Sequence, residues 1–463
     1  MPPKTRAWPI LQIAPTFSHY GLPRDRYKRR GDRKKSLFAE FFLPTDQGEN
    51  VMTMTSNPIS RRNMLAVAAA GGALSATTLA QAQAAQSMPE PRRPGAGGSN
   101  PGPKNPVRAG QNPDLIAPPA TDSGTLPNLR FSFEDAHMRL TPGGWTRQVT
   151  ARELAISKNV AGVNMRLNSG SVRELHWHKA AEWSYMLYGT ARITAIDPEG
   201  RNFVDDVGVG DLWYFPPGIP HSIRGLGPDG CEFLLVFDDG EFDEDNTFLL
   251  SDWIKHLPPE VLAKNFGVPA SAFADVPDPS KLYIFPAPLP GPLDTDKIAG
   301  ATPVPQSFSH RMMVQTPIKT KSGTVRITDS KIFPVSKTIA AALVEVEPGG
   351  MRELHWHPNT DEWQYYIQGQ ARMGVFAAQG QARTFDFQAN DVGYVPFAMG
   401  HYIENTGDTT LRFLELFKSD YYADVSFDQW LALTPPELVT AHLHNDRNLI
   451  DNLRKEKAPV VPA

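Results

Sequence analysis

The stretch RELHWHKAAEW at residues 173–183 returns as RELHWHPNTDEW at residues 352–363, and this internal duplication constrains the architecture more than any local propensity does. His176 and His355 lie 179 residues apart, whereas Glu182 and Glu362, and likewise His221 and His401, lie 180 apart. One residue has therefore entered the later copy between its second histidine and its glutamate. A chain of 463 residues built on such a repeat is expected to fold as two similar domains, each with its own core.

Within each half the apolar runs are short and rich in aromatic and branched residues. The first half carries EWSYMLYGTARITAI, DLWYFPPG and CEFLLVFDD, and the second carries EWQYYIQGQARMGVF, DVGYVPFAMG and LRFLELFK. Gly, Pro and Asp clusters divide them, which predicts an all-β chain whose strands close into a barrel or sandwich in each half. Each half ends in a short helical segment. LPPEVLAKNFGV offers proline at the helix start and Gly267 at its end, and LTPPELVTAHLHN offers a capping box of Thr434 with Glu437.

The first hundred residues differ in kind. SRRNMLAVAAAGGALSATTLAQAQA, residues 60–84, joins paired arginines to a weakly hydrophobic run and Ala-x-Ala sites, the pattern of a twin-arginine export signal. It is too short and glycine-rich for a stable membrane anchor. Residues 1–51 precede it with the basic run RDRYKRRGDRKK and read as an over-long N-terminal extension, since Met52 or Met54 gives a more natural start. The chain thus divides into that extension, a signal at 52–84, a Pro/Gly-rich linker or arm at 85–128, a first domain at 129–300 and a second at 301–463. The expected location is periplasmic or secreted.

Charge and cysteine usage narrow the function. Residues 1–84 hold 12 Lys/Arg and 5 Asp/Glu, leaving 34 against 45 in the remainder, a net charge of -11. So acidic a body is a poor partner for nucleic acid or an anionic membrane. The single cysteine, Cys231, leaves any tightly held metal to histidines and carboxylates.

Those residues are present in the right pattern. His176 and His178 stand two apart, so on a strand both side chains face the same way and can chelate one ion. Glu182 follows after a turn, and PPGIPHSI brings His221 from a later strand. His355, His357, Glu362 and His401 repeat the set. Three histidines and a carboxylate would suit Fe(II), Zn(II) or Cu(II), and would leave two octahedral positions open.

These motifs resemble those of the cupin superfamily. Its first motif, Gly, five residues, His-x-His, three or four residues, Glu, six residues, Gly, is met from Gly170 to Gly189 and from Gly349 to Gly369. Its second, Pro-x-Gly-x-x-His, is met by Pro216, Gly218 and His221, whereas the second half has Ala398 in place of the glycine. The match sharpens toward the bicupin oxalate decarboxylases and runs from about QNPD at 111 to the C-terminal helix. The resemblance implies two jelly-roll (double-stranded β-helix) barrels in tandem, two manganese ions, dioxygen as co-catalyst, oxalate as substrate, and a trimeric or hexameric homo-oligomer. The implied reaction removes an electron and a proton from oxalate, releases carbon dioxide and protonates the fragment to formate.

The resemblance also implies roles for particular residues. Arg173 and Arg352 match the substrate-orienting arginine, and a guanidinium suits a carboxylate through its planar fork. Strand parity would set Arg173 opposite His176, so a bulge is required between them. Trp213 falls in the pocket wall, while Trp177 and Trp356 are out of phase with the histidines and read as packing. In DDGEFDEDNTF, Glu244 takes the place of the lid glutamate that supplies the proton, with the like charge of Glu241, Asp243 and Asp245, and burial on lid closure, expected to raise its pKa. Bacterial members usually read Ser-Glu-Asn-Ser there, and this chain reads Asp243-Glu244-Asp245-Asn246. The second half has a shorter lid without a glutamate, but carries Glu415 where the first has Leu235. Glu415 is therefore either a rival acid or a structural partner of Arg352. The alternatives are an oxalate oxidase releasing hydrogen peroxide, which Glu244 argues against, and a metal-binding bicupin without turnover.

Overall fold

The computed structural model describes residues 105–278, 283–444 and 447–462. The extension and export signal read from the sequence lie outside them. The expected strands form, and every named strand pair is antiparallel. In the first barrel, Val172–Trp177, His221–Gly225 and the far half of Glu182–Ile196 make one layer, with Asn202–Gly208 beside them. The near half of Glu182–Ile196 pairs with Leu212–Phe215 and Cys231–Phe237, and the layer continues through Ala161–Leu167 to Gly144–Val149. The second barrel repeats this plan, with Met351–Trp356, Gly400–Asn405 and Gln370–Ala377 in one layer and Asp391–Val395, Glu362–Gln368, Leu411–Phe417 and Ala340–Val346 in the other.

The pleat explains why these runs become strands. Alternate side chains of His221–Gly225 and Gly400–Asn405 are buried, while the central strands are buried on both faces and so read as continuous apolar runs. One buried apolar cluster extends from Phe133 and Trp183 of the first barrel to Trp363 and Leu414 of the second. The barrels meet so closely that a Cβ on Gly162 would lie 2.6 Å from the Trp363 ring. Gly170, at the head of the first motif, has a φ of +82°, and a Cβ there would lie 2.2 Å from the Ala287 carbonyl oxygen. A turn this tight, with backbone this near, admits only glycine.

Each barrel is finished by the segment that precedes the other. Arg130–Ser132 pairs with Asp391–Gly393 of the second barrel, and Ser309–His310 pairs with Leu212–Trp213 of the first. Upstream of each strand an acidic residue docks on an arginine of the same host barrel. Asp114 accepts from Arg372 Nε at 2.7 Å, with Asp386 against the same guanidinium at 3.2 Å. Asp296 accepts from Arg192 at 2.6 Å, with Asp206 at 2.7 Å. Residues 105–128, a linker or arm by sequence, thus lie across the second barrel.

The closing helices form with one correction. The helix Pro259–Phe266 starts on proline and ends at Gly267 in the left-handed conformation, as expected. The helix Pro436–Leu443 has no capping box. Pro435 is its N-cap, and the Thr434 hydroxyl instead donates to Trp430 O at 2.8 Å, closing the preceding helix Phe427–Ala432. With a proline in the N-cap place, the side-chain cap that a threonine would supply has no position to act from.

Candidate metal centres and the first-barrel site

Two strands build most of each centre. His176 lies directly across from His221 in the ladder, and His355 from His401. The next like-facing positions deliver His178 and His357, and the strands beginning at Glu182 and Glu362 add a carboxylate. In each set all four residues are buried, and one ligand atom from each lies within 4.8 Å of the others. All eight sequence candidates are therefore brought together as two clusters.

The remaining polar atoms show that a cation fits. Every one of the six histidines has Nδ1 on a backbone carbonyl, such as His221 on Ile219 O at 2.7 Å and His355 on Glu353 O at 2.7 Å. That fixes the tautomer and points each Nε2 inward. Buried Nε2 atoms of His221, His355, His357 and His401, and Oε2 of Glu362, find no partner outside the cluster and converge on one another, with Glu362 Oε2 3.0 Å from His357 Nε2 and 2.8 Å from His401 Nε2. Burial, then the neighbouring arginine, pushes His176 and His355 well below the ordinary histidine range, so both are neutral and able to donate to a metal. The structure thus provides two sites suited to a divalent ion.

The second coordination partner of each glutamate is solved differently in the two barrels. Trp213 Nε1 donates to Glu182 Oε1 at 2.9 Å, assisted by the Ser184 hydroxyl at 3.3 Å. In the second barrel the paired positions hold Gln364 and Gly393, and Gln364 Nε2 donates to Glu362 Oε1 at 2.8 Å. A Cβ on Gly393 would fall 2.3 Å from Gln364 Oε1. The Trp213–Ser184 pair has been exchanged for Gly393–Gln364 with one donor to the carboxylate kept. The contact made by Trp213 is thus with a ligand, and Gln364 is a residue that motif reading missed.

The required bulge is present in both copies: the ladder shifts register between Arg173 and His176 and between Arg352 and His355. Both arginines are consequently buried on the ligand side. Their surroundings differ sharply. Arg173 lies over the Tyr283 ring at 4.0 Å and makes only a long 3.5 Å bond to Tyr283 O, and among the described residues no carboxylate lies within ion-pair distance of it. Arg352 is fully enclosed, donating to Glu415 at 2.9 Å, Asp424 at 2.6 Å and the Tyr422 hydroxyl at 2.8 Å. Against its burial, Arg352 and Lys457 hold the Asp424 carboxyl below the usual carboxylate range. Arg352, expected from the sequence to bind substrate, has its donors taken up by two carboxylates. Glu415 stands as its ion-pair partner.

Glu244 opens a single 3-10 turn, Glu244–Asn246, and is only 7% exposed. Its Oε2 accepts from Thr146 Oγ1 at 2.9 Å. Burial pushes its carboxyl above the ordinary range, against the nearby charge of Arg173. Of the two causes expected, burial is the one that acts, while Asp243 and Asp245 face Arg152 and Arg139. Phe242 stacks on Phe237 at 3.6 Å and meets the His178 ring edge-on, tying the lid to the centre. Trp177 stacks on Phe248 and Trp356 packs against Trp430, both outside the ligand clusters.

Barrel pair, bulged His-x-His strand and carboxylate on the neighbouring strand are together a duplicated metal-binding jelly roll, and the chain belongs to the cupin family, whose model matches residues 133–272 and 313–451. Among curated proteins it is 58% identical over 375 residues to an oxalate decarboxylase of Bacillus subtilis (strain 168), covering 81% of this chain and 97% of that one. It is also 44% identical over 347 residues to a probable oxalate decarboxylase of Arthroderma benhamiae, covering 74% and 85%. A solved structure of the Bacillus subtilis enzyme, studied for its Mn(II) centres, matches with a TM-score of 0.78 and 58% identity, covering 81% of this chain and all of that one.

Proposed function

We propose that the protein is an oxalate decarboxylase that converts oxalate to formate and carbon dioxide at the first-barrel centre. The observation that carries the choice of centre is the contrast between the two arginines: among the described residues Arg173 has no carboxylate within ion-pair distance and Glu244 is buried beside it, whereas Arg352 is neutralised. An anionic substrate gains a charge-assisted pair at the first and would have to displace buried ion pairs at the second.

His176, His178, Glu182 and His221 would hold the catalytic ion, and the second cluster would hold a structural one. The Mn(II) centres of the related enzyme support manganese at both. Bound manganese, with dioxygen, would supply the one-electron oxidation that weakens the oxalate C–C bond. Arg173 orients the dianion and compensates its charge while carbon dioxide leaves. Glu244, whose carboxyl burial pushes upward, would deliver its proton to the carbon left behind, so that the oxalate dianion and one proton yield formate and carbon dioxide, with the electron removed at the start returned at the end. Trp213 and Ser184 fix the Glu182 carboxylate.

The test is an assay of formate against peroxide on protein of measured manganese content. Wild type should make formate in proportion to manganese, and Glu244→Ala should lose about 10²–10⁴-fold of that rate, the usual contribution of a positioned acid. The wild-type rate should fall as pH rises through the raised Glu244 value, because only the protonated form donates. Undiminished formate in the variant would remove Glu244 from the mechanism, peroxide as the main wild-type product would indicate an oxidase, and absence of turnover with manganese bound would indicate a binding protein.

A further inference from the structure

The two aspartates that flank Glu244 have partners on the barrel. Asp245 accepts from Arg139 Nη1 at 2.8 Å, and Asp243 lies 3.9 Å from Arg152 Nη1. Asp243 also accepts from the Asp245 backbone N–H at 3.1 Å, capping the lid's one turn from inside. Arg139 reaches further inward: its guanidinium lies over the Tyr283 ring at 4.0 Å, the ring that Arg173 also covers. A continuous path of charge and stacking therefore joins lid residue Asp245 to the substrate-orienting arginine. Arg139, Arg152, Asp243 and Asp245 line a cavity of about 340 Å³ that also has Glu244 in its wall. The bacterial lid sequence Ser-Glu-Asn-Ser, present in the Bacillus subtilis enzyme and replaced by Asp-Ser-Ser-Asn in one of its solved variants, has no ionisable residue at either flank. The paired aspartates belong to this chain's own version of the lid.

We propose that Arg139 and Arg152 are positioning residues that latch the lid through Asp245 and Asp243, keeping Glu244 seated beside Arg173, and that the latch loosens as ionic strength rises. The segment is anchored on either side, by Phe242 stacked on Phe237 and by Phe248–Leu249 paired with His176–Trp177, but the turn between them is one residue triplet whose Glu244 amide reaches Gln148 only at 3.5 Å. Both ion pairs are partly exposed, with Asp245 76% open to solvent, so salt screens them. When the lid releases, the acid leaves the site and protonation of the fragment slows. This inference rests on the decarboxylase reading for its consequence in turnover, and on geometry alone for the latch.

The experiment is hydrogen exchange by mass spectrometry over residues 240–249 of the manganese-loaded full chain, at about 50 mM and about 500 mM NaCl, which spans a several-fold change in screening length. In wild type, lid exchange should accelerate about three- to tenfold with salt, as two weak exposed pairs allow. Asp243→Ser with Asp245→Asn should exchange fast at both concentrations. Arg139→Asp should match it, and Arg139→Asp with Asp245→Arg should regain both protection and salt sensitivity. In the same samples, the fraction of oxalate turnovers that end in formate should drop when the lid loosens. Wild-type exchange indifferent to salt, or a reversed pair no better protected than Arg139→Asp, would overturn the latch. Exchange as expected with an unmoved product ratio would overturn the positioning role. Failure of wild type to make formate would count against the decarboxylase reading and leave the exchange result standing.

Discussion

At the scale of single residues, the two barrels are an internal experiment in substitution. Gly218 and Ala398 occupy the same turn ahead of the last histidine ligand, with φ of +77° and +61°. Glycine pays nothing for that conformation, and alanine is strained by its Cβ. Ala398→Gly should stabilise the protein by about 0.5–1 kcal/mol, read as a higher Tm, with formate production unchanged. A lower Tm would show that the alanine methyl makes a contact worth more than the strain. The ligands themselves were legible because their information is local: a period of two, a fixed gap to the glutamate, and a second copy in register. Gln364, Asp424 and Tyr283 were not legible. Asp424 and Tyr283 act on a site residue from a different strand or loop, and nothing in their own sequence neighbourhood marks them; Gln364 shares the strand of Glu362 two residues on, but its role depends on Gly393 across the ladder.

At the scale of elements, burial and pairing decide what each segment does. Glu174 and Glu353 follow the two arginines and were given no role by the motif. Glu174 accepts from the Ser251 amide at 2.8 Å, and Glu353 from the Ser426 hydroxyl at 2.6 Å, so each barrel strand anchors the start of the helix that precedes its closing one, Leu250–Lys255 in the first half and Phe427–Ala432 in the second. The mistaken capping box at Thr434 shows the opposite limit, since the pattern S/T-x-x-E was satisfied while prolines at 435 and 436 moved the helix start. The arm over the second barrel carries a titrating contact. Burial first, then the adjacent Asp114, raises Asp386 from 3.8 to about 6, with Arg372 pulling the other way. A raised folded value means that its contribution is whole below the unfolded value and is lost as pH climbs from about 4 to about 6. Arg372 and Asp114 are the charges that face it, and Glu404 acts in turn on Arg372. Asp386→Asn, which holds the neutral state at every pH, should therefore show a smaller fall in Tm between about pH 5 and pH 7.5 than wild type. An equal fall in both would mean that the pair does not titrate in that window.

At the scale of the whole molecule, the duplication was visible in the sequence but the exchange of segments between the halves was not. Pairing of residues 130–132 with residues 391–393 spans some 260 positions, and sequence patterns report neighbours rather than such distances. The molecule also leaves large rings exposed on both barrels, Phe248 and Trp253 on one and Phe427 and Trp430 on the other. No helix among the described residues is long and apolar enough to cross a membrane. Paired aromatic patches of this kind suit association with further copies. We expect the mature protein, recovered from the exported fraction without residues 1–84, to sediment as a trimer or hexamer. A monomer would refute the assembly, and an intact leader on cytoplasmic protein would refute the export. The reciprocal straps carry one more consequence, for the order in which the chain is made. The first barrel receives its strap from residues that leave the ribosome directly after it, so it can be completed early. The second barrel is finished by residues 105–132, which emerge before either barrel exists. The earliest part of the described chain is thus the last to reach its place, because the strand that receives it is made some 260 residues later.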